Sequence, residues 1–289
     1  MVSQISQKIK TYGELVMFSH TLFSLPFALI SMLIAAEGLP SADTFVWIMV
    51  ALFAGRNGAN ALNRYVDASY DALNPRTAHR HIPIGAVKKS EALGLTLIAY
   101  AIFVYAASRL NPLCFMLSPV ALILFTLYSY TKRFTWLCHL ILGITCAGAP
   151  VGAWLAVTGK WGFLPLLIAA AVTLWISGFD IIYGTQDIGF DREQGLFSIP
   201  ARFGLNGARI IAALSHVMMW VILFSLAFLT PLLNVIYTIG VIICGGLLIV
   251  EHMGIEPKHR KRMNFVAYHL NQIISIILFL SVVIDIFIF

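Results

Sequence analysis

The chain has 289 residues, 60% of them hydrophobic and 11% charged, with a net charge of +6. This is too apolar for a water-soluble domain. The four cysteines form no CxxC pair, so zinc and disulfide frameworks have no footing.

Apolar runs of about 20 residues recur, the length a helix needs to cross a hydrocarbon core of ~30 Å. Only helices and closed barrels satisfy their backbone in lipid, and unbroken apolar runs select helices. The expected fold is all-α and polytopic. Nine spans are expected at 15–36, 44–64, 92–108, 112–130, 136–158, 162–183, 207–229, 231–250 and 268–288. The first is too long for a signal-peptide core and lacks an A-x-A cleavage site, so it counts as a helix.

The second span carries Ala54, Gly55, Gly58 and Ala59, a small-residue pattern that lets helices approach closely. It also carries Arg56, an intramembrane cation and a functional candidate for that reason. At its end come Asn63, Asp67 and Asp71, spaced i, i+4, i+8 and so on one helix face. Two carboxylates at that spacing repel. A divalent cation between them reverses the sign, and Mg²⁺ takes hard oxygens that it shares with substrate phosphates. The long loop 65–91 then supplies Arg76 and Arg80, four apart, with His79 and His81 nearby. The fourth span closes on Lys132 and Arg133, and the fifth holds Gly148 and Gly152 as further close-packing candidates.

The sixth span ends in a second acidic set. Asp180 lies about two turns deeper, Tyr183 follows, and Asp187 and Asp191 repeat the i, i+4 spacing; Gly184 and Gly189 suggest a loosened helix. Of the 13 carboxylates, five fall in these two short stretches. The second long loop, 184–206, continues to Arg202, and the basic run Lys258, Arg260, Lys261 and Arg262 reads as membrane anchoring. Arginine grips phosphate oxygens bidentately and lysine adds a point charge. Carboxylates for Mg²⁺ beside such cations describe a diphosphate site. The remaining histidines form no ligand set.

Of the 19 Lys and Arg, 16 fall to one side of the nine-span arrangement and two, Arg109 and Lys160, to the other, with Arg56 inside. The positive-inside rule therefore places the N-terminus in the cytoplasm and the C-terminus outside. Topology and anionic lipid account for the basic balance, and no nucleic-acid partner is expected. Residues 1–289 are read as a single domain. A pseudo-repeat of 15–130 and 136–250 would place both acidic sets on the same membrane side, facing each other.

These motifs resemble a family. Asn63-x₃-Asp67-x₃-Asp71, Asn74-Pro75-Arg76-Thr77-Ala78-x-Arg80 and Ile82-Pro83-x-Gly85 are similar to the first motif of UbiA-type intramembrane aromatic prenyltransferases. Asp180-x₂-Tyr183-x₃-Asp187-x₃-Asp191 resembles their second. Tyr128-x₂-Thr131-Lys132-Arg133 resembles a third, with Ser129 where the family often has Pro. Within the family, Ser19 to Phe27 and Asp71 to Ala78 look most like the 4-hydroxybenzoate polyprenyltransferase branch, and especially its relatives linked to menaquinone made through futalosine.

The resemblance implies nine helices around an apolar cavity with a cytoplasmic active site, in a bacterial inner membrane. It implies Mg²⁺-dependent transfer of a polyprenyl group from a prenyl diphosphate to an aromatic hydroxy acid. Asp67 with Asp71, and Asp187 with Asp191, would each hold a metal ion. Arg76, Arg80, Lys132 and Arg133 would neutralise the departing diphosphate, with Asn63 and Tyr183 lining the substrate. Asp180 would orient or deprotonate the phenol, and either Arg133 or Arg56 would hold an acceptor carboxylate. Other acceptors (a futalosine-pathway menaquinone precursor, haem or a chlorophyll-type ring) are the alternative, and a cation-coupled transporter is the reading from another class. No obligate protein partner is implied.

Overall fold

The structure, a computed structural model, describes residues 11–16 and 21–288, with the backbone alone for 21–24, 260 and 264. The described residues are helical without strands. The helices are α1 (Thr21–Ala36), α2 (Ala42–Leu73), α3 (Lys89–Leu110), α4 (Pro112–Thr131), α5 (Cys138–Thr158) and α6 (Phe163–Gly184). A 3₁₀ turn, Thr185–Asp187, leads to α7 (Ile188–Glu193), α8 (Ile199–Leu229), α9 (Val235–Met253), α10 (Arg260–Asn264), a π turn at Phe265–His269, and α11 (Leu270–Ile288). Eight helical stretches are long and apolar enough to cross a membrane, and Leu25–Ala36 adds a shorter apolar one. Among the described residues, each of the nine expected spans has a helix at its place.

The outer surface differs from that of a water-soluble protein. On α8, Ile210, Leu214, Val217, Met218 and Val221 are exposed while Ala208, Ala212, His216 and Met219 are buried. Large exposed apolar faces suit lipid contact, and the small and polar residues turn inward.

Two boundaries differ from expectation. α2 continues to Leu73 where a loop was expected from 65, because its last turns bury Ala68 and Asp71. α8 begins at Ile199 rather than 207. Ser198 caps it, accepting from the Ala201 N–H at 3.1 Å, and Pro200 suits the first turn. Gly204, at φ 70°, then breaks the helix into two segments.

The chain forms two compact units. The first takes Phe45–Tyr130 with the described residues before Phe23, 11–16 and 21–22. There the small residues of α2 do what their spacing predicts: a Cβ on Gly58 would press on Tyr100, and one on Gly55 on Phe125. The Tyr128 hydroxyl donates to the Ala59 carbonyl at 3.1 Å.

The second unit takes Phe23–Thr44 and Thr131–Phe289. Its core centres on Phe27, Ile168, Trp175, Met219 and Tyr237. The expected close-packing pair, Gly148 and Gly152, is not a contact: a Cβ on either meets open space. The tight crossing of α5 with α6 falls one turn earlier, where a Cβ on Gly143 would run into the Thr173 carbonyl. Gly178 likewise makes room for the His216 ring. Deep in this unit Trp175 Nε1 donates to Asn271 Oδ1 at 2.6 Å, and Asn271 Nδ2 donates to Glu251 Oε1 at 2.9 Å. Asp285 accepts from the Asn234 and Tyr237 N–H groups, a negative charge at the α9 N-terminus. Cys114, Cys138, Cys146 and Cys244 are free thiols.

Candidate active site

The first acidic row is the last two turns of α2. Asn63 Nδ2 donates to Asp67 Oδ2 at 2.8 Å, so the amide braces the half-buried carboxylate one turn on. Asp71 is buried. The Asn-Pro-Arg-Thr-Ala segment then folds back over the helix end. Asn74 Oδ1 accepts from the Arg76 N–H at 2.9 Å, its carbonyl accepts from Thr77 and Ala78, and Thr77 Oγ1 donates to the Asp71 carbonyl at 3.1 Å. These bonds make a compact turn that delivers Arg80 Nη1 to Asp71 Oδ1 at 2.5 Å. Spacing alone pairs Arg76 with Arg80; the fold instead commits Arg80 to the aspartate and leaves half-buried Arg76 in the turn. Arg56 is half-buried in α2, seven residues before Asn63 and so on the same face.

The second row is not one helix. α6 ends at Gly184, a 3₁₀ turn covers Thr185–Asp187, and Asp187 sits at φ −103°, ψ 7° before α7 starts. The loosening suggested by Gly184 is therefore present, and Asp187 and Asp191 lie on different turns. Both are buried, Asp191 completely. Lys132 Nζ lies 2.8 Å from Asp191 Oδ1, and Ser198 Oγ donates to Oδ2 at 2.8 Å. The Phe197 N–H donates to the Lys132 carbonyl at 2.8 Å and the Leu196 N–H to the Asp191 carbonyl at 2.7 Å. These bonds hold the 196–198 strand of chain, the Lys132 turn and α7 together. Burial works against the Lys132 charge, but the carboxylates of Asp191 and Asp187 outweigh it and hold the ammonium above its ordinary pKa.

Arg133 is half-buried beside Lys132 in the turn after α4. Tyr183 packs edge-on against Tyr268 at 4.9 Å. Arg202 stacks on aromatic rings, its guanidinium 5.1 Å over Trp136 and 5.5 Å over Phe203.

Two partners lie outside the motifs read in the sequence. His139 Nδ1 lies 2.7 Å from Asp180 Oδ2, although 41 residues separate them. No local pattern announces that contact. Ser198, which both caps α8 and holds Asp191, does carry a signal: Ser before Ile-Pro at a helix start is an N-cap signature. Ser19 and His20 lie outside the described residues, as do the side chains of Thr21–Ser24.

The arrangement suits a divalent cation that uses few protein ligands. Asp71 Oδ2 is buried without a hydrogen-bond partner, an orphaned anionic oxygen that a cation would satisfy. Among the described residues no three His, Cys, Asp or Glu side chains converge into a closed cage.

The UbiA prenyltransferase family model matches residues 24–278. A 4-hydroxybenzoate octaprenyltransferase of Aeromonas hydrophila is 29% identical over 98% of this chain and 95% of its own length. The apo structure of a UbiA homolog from Aeropyrum pernix K1 superposes with a TM-score of 0.82 at 31% identity, covering 92% of this chain and 98% of that one. A UbiA homolog from Archaeoglobus fulgidus, solved with GPP and Mg²⁺ bound, shares the fold with a TM-score of 0.70 at 18% identity, covering 96% and 99% of the two chains.

Proposed function

The chain belongs to the UbiA prenyltransferase family and is an integral-membrane prenyltransferase; from that premise we propose that it moves a polyprenyl group from a prenyl diphosphate to a 4-hydroxybenzoate-like aromatic hydroxy acid, with Mg²⁺ as cofactor. One observation carries this reading. Each acidic row ends in a buried aspartate bound by a cation, Asp71 by Arg80 and Asp191 by Lys132. The same construction built twice fits a diphosphate carrying metal. The acceptor class is supported by the curated relatives' activity, and the metal by the Archaeoglobus homolog.

Asp67 and Asp71 would hold one Mg²⁺, and Asp187 and Asp191 another. When bound, the metal supplies positive charge to the diphosphate oxygens as the C–O bond ionises. Arg76, Arg80, Lys132 and Arg133 would neutralise the charge of the departing diphosphate. Asn63 keeps the Asp67 carboxylate aimed. Tyr183 presents its ring one turn beyond Asp180, where an allylic cation gains from an aromatic face. Asp180, two turns inside the metal-binding pair, accepts the acceptor's hydroxyl proton, which raises electron density at the ortho carbon that forms the new C–C bond. Arg133 or Arg56 holds the acceptor carboxylate. The surrounding apolar side chains exclude water, which would otherwise quench the cation.

In the membrane, the loops bearing these motifs face the cytoplasm, with the N-terminus inside and the C-terminus outside. The test is direct. The protein in lipid nanodiscs is given a prenyl diphosphate, Mg²⁺ and a panel of aromatic acceptors, and products are identified by mass. A prenylated 4-hydroxybenzoate is expected. Prenylation of a different acceptor alone would reassign the substrate, and no prenylated product from any acceptor would overturn the function.

A further inference from the structure

We propose that His139 is a positioning residue for the reaction, one that fixes Asp180 so that a single carboxylate oxygen faces the acceptor hydroxyl. This rests on the proton-acceptor reading of Asp180 above.

The two side chains come from neighbouring helices. His139 is the second residue of α5, and Asp180 sits in the penultimate turn of α6. Their separation of 2.7 Å between Nδ1 and Oδ2 is that of a charge-assisted bond. An ionised carboxylate can only accept, so Nδ1 carries the hydrogen. Exposure divides the pair: the His139 side chain is 5% exposed and the Asp180 side chain 28%. The imidazole is therefore the fixed element, and the carboxylate is the one a substrate can reach.

Several contacts immobilise the ring. Ser177 Oγ, one helical turn before Asp180, lies 3.1 Å from the His139 carbonyl and 2.6 Å from the Thr173 carbonyl, pinning the α5 backbone to α6. On the far side the ring rests against Gly184, where an added Cβ would sit 3.2 Å from Cε1. The second nitrogen, Nε2, is buried without a hydrogen-bond partner. A buried polar atom left unsatisfied is costly. The ring keeps that orientation because turning it over would exchange the charge-assisted bond for a weaker one. A general base must be held within hydrogen-bond reach of its proton, and displacement of about 1 Å costs about 100-fold in rate. An aspartate on a helix flank, free to turn about χ1 and χ2, does not meet that demand alone.

Two substitutions separate this role from plain packing. His139→Asn keeps an N–H near the Nδ1 position, and His139→Gln moves it to the Nε2 position. His139→Gln should lower kcat by about 100-fold with little change in KM for the prenyl diphosphate. His139→Asn should stay within a few-fold of wild type, and His139→Gln added to Asp180→Asn should cost nothing further. Equal rates in the two His139 variants, or losses that add to that of Asp180→Asn, would overturn the proposal while leaving the function intact. Failure of the wild-type protein to prenylate any acceptor would remove the function itself and this inference with it. A second measurement reads the tautomer in place of the rate. With ¹⁵N-labelled histidine, the resonance that disappears in His139→Asn must report a protonated Nδ1; a bare Nδ1 sinks the idea.

Discussion

Lys132 and Asp191 form an ion pair of 2.8 Å in which the acid is wholly buried and the base is 35% exposed. The two partners are therefore not equivalent. Lys132→Met leaves a carboxylate inside the protein held by the Ser198 hydroxyl, and should cost about 3 kcal/mol. Asp191→Asn leaves an ammonium that can swing to water, and should cost about 1 kcal/mol. Thermal unfolding in a fixed detergent checks the order, which a symmetric loss would contradict. Transfer should be abolished in both.

On the first row, Asp71→Asn removes the anion that Arg80 and the proposed metal share. Prenyl transfer should fall at least 1000-fold, and raising Mg²⁺ should not restore it. Asp67→Ala should behave alike. Full activity in either variant would remove the metal assignment.

Asp180→Asn should separate binding from chemistry. Prenyl diphosphate binding, read by calorimetry with Mg²⁺ present, should match wild type, while kcat drops by a factor of 100 to 10,000, the range for a lost general base. Loss of diphosphate binding would make Asp180 a metal ligand instead.

Two glycines of α5 make opposite predictions. Gly143→Ala drives a methyl into the Thr173 carbonyl and should cost about 2 kcal/mol. Gly148→Ala points into open space and should lie within about 0.5 kcal/mol of wild type. Melting temperatures of the two variants in the same lipid environment decide it.

Asn271 joins Trp175 to Glu251, all three fully buried. Asn271→Leu strands an indole N–H and a carboxylate together and should destabilise by about 3 kcal/mol. Glu251→Gln keeps the hydrogen-bonding shape and should cost much less. A small loss in Asn271→Leu would show that another group takes over the two stranded atoms.

What could be read in advance was whatever depends on neighbours along the chain. Apolar runs announced the helices because lipid demands internally paired backbone. Asn63, Asp67 and Asp71 declared one face because helical periodicity is local. The second row was less legible: Asp187 and Asp191 carry the same spacing, yet Asp187 closes a 3₁₀ turn and Asp191 lies on the separate helix α7. Gly148 and Gly152 looked like a packing motif, and the contact fell on Gly143, because a small residue permits close approach without saying which helix comes near.

The amino-acid sequence by itself determined a polytopic helical membrane protein with two acidic motifs, since hydropathy, periodicity and charge are properties of short segments. Only the tertiary structure decided which cation each acid holds. Arg80 returns to Asp71, Lys132 to Asp191, and His139, unmarked by any motif, to Asp180. Arg80 reaches Asp71 through a local turn, but Lys132 and His139 meet their acids through the packing of segments far apart in the chain, and no pattern in a local stretch records that distance.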